Sequence, residues 1–473
     1  MKYVAMRNDG FGARLNGLLN AIVLANQFNG EFRFIWPDSI DEAKYHSILP
    51  KEEIFDKSFI EQHYIDEKML KKLKTVTLDK MNSIQNYDAV AVHLEMQDND
   101  RGQYRQAFET IAFAQPLQQA KQRAESINID YVGGSNRSVA VHMRAGDIVY
   151  GDCRFTKFFH TKVAPFPIIM AIIEDLQSNG YEPILFGQDD ELMAHLKEKY
   201  HVRLAKELSN PSFSSAQQAL FDIVLMSRCA KIVAGDSAFA IEGGLIGDVP
   251  MVDSYSFFGK DRSLQIIHNT FQKPIDNRIS NMQKAFACVS YLYILDKQYA
   301  NDDISLYLLQ EAARQDPAND LYNFILAMTY YNVGRTQDAE QTLCDCFTNN
   351  NAENMFRFLT KLWVTSRTAV CSYEAELQAY ADKGYPIACL TVSIIAIAYR
   401  SFRTYWHYKN QFFLHRKREY AMLDHLVQPH VLFANYVRNK WQRLRGIKVK
   451  QIPAHISCHF KAQYRLFLAN KPI

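Results

Sequence analysis

Apolar and polar positions alternate along the first half of the chain in short runs that fit strands, separated by stretches with helical spacing. Tyr3 to Arg7, Phe32 to Trp36 and Ala89 to Leu94 read as strands, and Arg14 to Gln27 as a helix between the first two. From about residue 131 the same grammar restarts. Strands are predicted at Ser138 to Met143, Pro183 to Gly187, Lys231 to Ala234 and Val249 to Asp253. Helices are predicted between them at Ile168 to Ser178, Ala216 to Ser227 and Ala240 to Leu245. Such alternation indicates α/β layers with parallel sheets. After about residue 280 the strand pattern stops and helical spacing takes over.

Three regions are therefore expected: a Rossmann-like half over 1–130, a second over 131–278 and an all-α region over 279–473. A chain of 473 residues agrees, at roughly 150 residues per domain. Within the helical part, Leu326-Ala327-x-x-Tyr330-Tyr331-x-x-Gly334-Arg335-x-x-x-Ala339 resembles one tetratricopeptide unit. Asp316-Pro317-Ala318-Asn319 recurs weakly as Asn350-Asn351-Ala352-Glu353, an offset matching the period of about 34 residues for such repeats. A helical repeat region is expected to dock a protein partner, to self-associate or to extend an acceptor groove, and the pattern does not choose among these.

Composition narrows the class. Apolar residues make up 48% and charged residues 22%, which excludes a disordered or collagen-like chain. The 54 Lys plus Arg nearly balance 51 Asp plus Glu, so net charge makes no case for nucleic acid. The eight cysteines are scattered without a Cys-x-x-Cys pair, which reads as reduced thiols. The N-terminus runs from a short strand into a glycine turn without a signal-peptide apolar stretch, and Ile387 to Tyr399 is too short to span a bilayer. A cytoplasmic protein, peripheral to the inner membrane, is the expectation. Arg400 to Lys450 holds twelve Lys or Arg against Glu419 and Asp424, interleaved with Tyr405, Trp406, Phe412, Phe413 and Trp441. That composition suits either an anionic lipid surface or a solvated helical face with its aromatics turned inward.

The chemistry concentrates at strand ends. Ser138-Val-Ala-Val-His142-Met-Arg144-Ala-Gly-Asp147 is an apolar strand that delivers a His and an Arg to its carboxyl end, where open α/β sheets bind phosphorylated ligands. Arg suits a diphosphate because its planar fork grips two oxygens and keeps its charge. Asn8-Asp9-Gly10-Phe11-Gly12-Ala13-Arg14 follows the first strand and opens a helix, placing an acid, flexible glycines and a cation at that mouth. Leu185-Phe186-Gly187-Gln188-Asp189-Asp190 ends another strand in an acidic turn. Asp222 sits on a helix that leads into Lys231 to Ala234, and Gly235-Asp236-Ser237-Ala238-Phe239 then opens a further helix. Each residue also has a plain structural reading: His142 as a core histidine, Asp9 and Asp147 as turn residues, Asp189 and Asp190 as helix caps.

In this order the motifs resemble the fucosyltransferase superfamily that includes the α1,2, α1,6 and protein O-fucosyltransferases, over roughly residues 1 to 275. The resemblance implies a two-lobed GT-B fold, a GDP-sugar donor, inversion at the anomeric carbon and no obligatory metal or other cofactor. It implies that Arg144 holds the donor diphosphate and that His142 shapes the nucleotide pocket. Asp222 would accept from guanine, while Ser237, Ala238 and Phe239 would complete the phosphate cradle. Gly12, Arg14 and Asp189 would line the nucleotide-sugar site, and Asp9 would act as base. Where the α1,2 and α1,6 enzymes usually carry a second Arg after the first, this chain has Ala145, so the linkage does not carry over.

The expected activity is transfer of a sugar, fucose first, from a GDP-sugar to a hydroxyl of a glycan acceptor in surface polysaccharide or lipopolysaccharide synthesis. The alternatives are another nucleotide-sugar donor, or a helical-repeat adaptor with an inactive nucleotide-binding domain.

Overall fold

The computed structural model describes residues 1–7, 9–37, 48–78, 87–92, 101–129, 131–132, 135–296, 300, 302–349, 355, 358–359, 372–398 and 401–427. The chain divides into two compact units, one of residues 1–146 and 161–259, the other of 147–160 and 260–473. These limits differ from the sequence boundaries at 130 and 278 for two reasons. Both α/β halves share one apolar core, and a segment of 14 residues after the Arg144 strand belongs with the helices.

The first unit opens with β1 (Lys2–Ala5), α1 (Phe11–Gln27), β2 (Glu31–Phe34), β3 (Thr75–Thr77) and β4 (Ala89–Val92). Its first sheet is parallel throughout, in the order β2-β1-β4-β3, with Lys2 opposite both Glu31 and Ala89. After α2 (Arg101–Glu109) and α3 (Gln115–Ser126) come β5 (Ser138–Met143), α4 (Phe166–Ser178), β6 (Glu182–Gly187), α5 (Asp190–Tyr200) and β7 (Arg203–Leu204). Then follow α6 (Ser215–Met226), β8 (Lys231–Ala234), α7 (Ala238–Gly247) and β9 (Met251–Asp253). The second sheet is also parallel, ordered β9-β8-β5-β6-β7. All six residues of β5 are buried, as a central parallel strand covered on both faces requires.

Both sheets reverse their strand order beside a predicted motif. In the first, the chain leaves β1 for β2 on one side and returns to β4 on the other. In the second, β5 runs outward to β6 and β7 before the chain crosses back to β8. The crevice outside the carboxyl ends of strands at such a switch is where open α/β sheets take ligands.

Helix α1 explains why the halves do not separate. It is buried from Phe11 to Ala25, so it has no solvated stripe, and it packs on β1 as well as on α2 and α7. Asn20, inside it, is satisfied locally: its Nδ2 donates to Asn16 Oδ1 at 2.9 Å, and the Tyr104 hydroxyl of α2 donates to its Oδ1 at 2.8 Å.

The second unit is helical among its described residues: α8 (Lys260–Phe271), α9 (Asn281–Leu295), α10 (Asp303–Gln315), α11 (Asp320–Asn332) and α12 (Thr336–Asn349), then α13 (Glu374–Asp382), α14 (Pro386–Ala398) and α15 (Phe402–His415). Helices α11 and α12 form a hairpin at the predicted repeat. Gly334 turns the chain at φ +80°, and Ala327 and Ala339 are fully buried, so small side chains let the helices approach. The weaker recurrence at 350–353 lies outside the described residues. Arg154, from the 147–160 segment, meets Asp316 at 3.3 Å, and Asn319 both caps α11 and donates to the Arg154 carbonyl at 3.4 Å. Among the described residues no helix is long and apolar enough to cross a membrane.

Candidate functional site

At the switch of the second sheet, β5 delivers His142 into the core and leaves Arg144 half-buried just past its end. His142 is 6% exposed, its ring stacks on Phe239 with centroids 5.7 Å apart, and its Nδ1 meets no hydrogen-bond partner among the described residues. Burial, reinforced by the Arg144 cation, pushes the imidazole down to about 3. His142 is therefore neutral at physiological pH and keeps a nitrogen to offer.

The neighbouring strand β8 ends in a turn that only its sequence permits. Val233 lies opposite Val141, so Gly235 falls two residues further, level with the end of β5. A Cβ on Gly235 would stand 2.4 Å from the Thr161 carbonyl oxygen, and the Asp236 amide donates to that same oxygen at 2.9 Å. Ser237, 4% exposed, then N-caps α7 without a side-chain cap, so the first amides of the helix, around Ala238 and Phe239, are not closed off by it.

The N-terminus of α1 meets this one. Gly10 is its N-cap, again without a side-chain hydrogen bond, and a Cβ on Gly12 would lie 3.1 Å from the Cα of Phe239. Neither helix carries an acidic residue in its first turn. Two positive helix ends thus abut beside Arg144, an arrangement that favours an anion.

Asp9 stands in the loop before α1. Its carboxylate pairs with Arg7 at 2.7 and 3.2 Å. Burial raises its pKa, but the Arg7 hydrogen bond and charge, with a smaller contribution from Lys162, outweigh that and hold it below the usual range. Arg14 is placed differently from the sequence expectation of a ligand-facing cation. It is 2% exposed, donates to the Asp9 carbonyl at 2.8 Å and the Pro37 carbonyl at 2.9 Å, and lies over the Trp36 ring at 4.8 Å. Its described bonds fix the loop that carries Asp9.

The remaining predicted residues lie further along the second sheet. Asp189 caps α5, accepting from the Leu192 amide at 3.1 Å. It follows Gly187, which pairs with Met143, so it shares the carboxyl edge with Arg144. Asp222 lies inside α6, where Gln218 Nε2 donates to its Oδ1 at 2.7 Å and Ser209 in turn donates to Gln218 Oε1 at 2.6 Å. Burial pushes the Asp222 carboxyl up to about 7 against the Gln218 hydrogen bond. The structure brings Gly12, His142, Arg144, Ser237, Ala238 and Phe239 together; Asp222 is tied by its described bond to Gln218 of the same helix, α6.

Sequence reading missed Arg7, Lys162 and Gln218. Arg7 could have been found from its position two residues before Asp9 at the end of β1. Lys162 sits in a stretch without periodicity, and only the fold brings it near. Among the described residues no group of His, Cys, Asp and Glu side chains is arranged to hold a metal ion.

No protein-family model and no curated protein matches the chain. Among solved structures it is similar to fucosyltransferase NodZ from Bradyrhizobium, at 13% identity over 53% of this chain and 95% of that one, with a TM-score of 0.35. NodZ alpha-1,6-fucosyltransferase co-crystallized with GDP aligns at 13% identity over 53% and 94%, also with a TM-score of 0.35. POFUT1 in complex with GDP aligns at 12% identity over 53% and 97%, with a TM-score of 0.31. At these identities and scores the likeness does not extend to activity.

Proposed function

We propose that this chain is an inverting glycosyltransferase that moves a sugar, fucose first, from a GDP-sugar to a hydroxyl of a glycan acceptor without an obligatory metal. The observation that carries the reading is the abutment of two uncapped helix N-termini, α1 and α7, beside Arg144 at the switch points of two parallel sheets. A departing diphosphate gains negative charge as the anomeric bond breaks, and pre-oriented amides and a fixed guanidinium stabilise it without reorganisation.

In the proposed step the acceptor oxygen attacks the anomeric carbon opposite the diphosphate. The carbon–oxygen bond to phosphate breaks, GDP leaves toward Arg144 and the α7 amides, and the acceptor proton passes to the Asp9 carboxylate. Arg7 makes Asp9 a weak base, so proton transfer comes late, as the hydroxyl acidifies in the transition state. Neutral His142 supports the nucleotide pocket through Nδ1, and the guanine-facing role of Asp222 follows from the sequence resemblance. Glycan synthesis at the cytoplasmic membrane face is the setting proposed for the acceptor.

The experiment is release of GDP from GDP-fucose, GDP-mannose and UDP-glucose by the purified full chain. GDP release from a GDP-sugar and none from the UDP-sugar supports the reading. No turnover and no binding of any of them would instead favour a helical adaptor with an inert α/β unit.

A further inference from the structure

The basic stretch that begins at Arg400 resolves, over its described part, into an inner and an outer set. Within α15, Tyr405, Trp406, Tyr408 and Phe412 are buried, so these aromatics belong to the packing of the helical unit. In the last turn of the helix and beyond it the pattern inverts. Leu414 is 71% exposed and Met422 is 60% exposed, the two most exposed large apolar side chains among the described residues. Between them Lys417 and Arg418 are exposed, and Arg416 pairs with Asp424 at 2.8 Å. Two exposed apolar side chains flank a segment in which Arg416, Lys417 and Arg418 outnumber Glu419, on a chain whose residues outside 400–450 are net acidic, and this matches an anionic lipid surface in both of its properties.

We propose that the turn from Leu414 to Met422 seats this protein peripherally on an anionic lipid surface. Lys417 and Arg418 meet the headgroups while Leu414 and Met422 enter the interface. The proposal goes beyond the reading of the α/β unit and is tested without reference to activity.

The test is co-sedimentation of the full chain with phosphatidylcholine vesicles, with and without phosphatidylglycerol. The expected result is binding to the phosphatidylglycerol vesicles alone, weakening as salt is raised. Lys417→Ser with Arg418→Ser should lower the partition coefficient by roughly fivefold per cation removed. Leu414→Asp with Met422→Asp should lower it as well, with unchanged thermal midpoints. Should that aspartate pair lower the midpoint, Leu414→Ser with Met422→Ser replaces it. Equal binding to both vesicle types, no binding to either, or undiminished binding by both paired variants would overturn the proposal. So would vesicle-independent dimers, seen in analytical ultracentrifugation, that the apolar variant abolishes while lipid binding is absent.

Discussion

The ring of Phe239, in the first turn of α7, stacks on His142 at the end of β5 with centroids 5.7 Å apart and planes inclined by 23°. The same residue's backbone closes against Gly12 of α1. One residue therefore joins the strand carrying Arg144 to the two helix ends proposed to hold a diphosphate.

Gly12→Ala tests that junction. An added methyl would stand 3.1 Å from the Phe239 Cα, backbone that cannot swing aside as a side-chain tip can. Overpacking of this kind costs about 1–3 kcal/mol, more than the roughly 0.5–1 kcal/mol that Ala gains over Gly inside a helix. The expected outcome is a lower unfolding midpoint together with weaker GDP binding. An unchanged midpoint would show that the helix ends are not in tight register.

His142 predicts a pH signature. Its folded pKa, about 3, lies below the ordinary value of 6.5 because of burial and the nearby Arg144. Between those values the unfolded chain binds a proton that the native state does not. Stability is therefore full above about 6.5 and is lost as pH falls toward 3, with a slope of up to about 1.4 kcal/mol per pH unit. Urea unfolding between neutral and mildly acid pH should be less pH-dependent in His142→Gln. Parallel curves for the two proteins would place the imidazole in a more solvated setting.

The α/β order and the strand carrying Arg144 were legible in the sequence because their physics is local. A run such as Ser-Val-Ala-Val-His-Met has only a buried parallel strand to fit, and Gly10 and Gly12 announce a tight helix start. Direction was not legible for Arg14. Spacing puts it at the mouth, whereas its guanidinium turns to the carbonyls of Asp9 and Pro37, the latter 23 residues on. The joining of both halves into one unit was also hidden. It depends on α1 being buried on every side, which Asn16 and Asn20 disguise as polar positions until their mutual hydrogen bond is seen. Strand β3 has three residues, too few for periodicity to register.

Asp9 and Arg7 predict a separable pair of effects. Asp9→Asn should leave GDP binding intact and lower turnover by roughly 10²–10⁴-fold, the usual worth of a general base. Arg7→Ala removes the hydrogen bond and charge that lower the Asp9 pKa, so the acid limb of the turnover profile should move to higher pH. A profile that does not move would assign that limb to another group.

Asp222 and Gln218 predict a pH effect carried by α6. The Asp222 carboxyl, raised to about 7 by burial, contributes stability that is full below its unfolded value and lost as pH rises through 7. Asp222→Asn should therefore narrow the stability difference between mildly acid and alkaline pH. If the carboxylate accepts from guanine, the same substitution weakens GDP binding by about 10–100-fold, the worth of a charged hydrogen bond, and spares UDP. Unaltered GDP affinity would confine Asp222 to its bond with Gln218.

The central claim is that Arg144, with the ends of α1 and α7, holds a guanosine diphosphate. Calorimetric titration of GDP into the wild-type chain and into Arg144→Ala tests it most directly. The account predicts one site for GDP, markedly weaker UDP binding, and loss of GDP affinity in the variant at an unchanged unfolding midpoint. GDP binding of equal strength in both proteins, or none in the wild type, would contradict it.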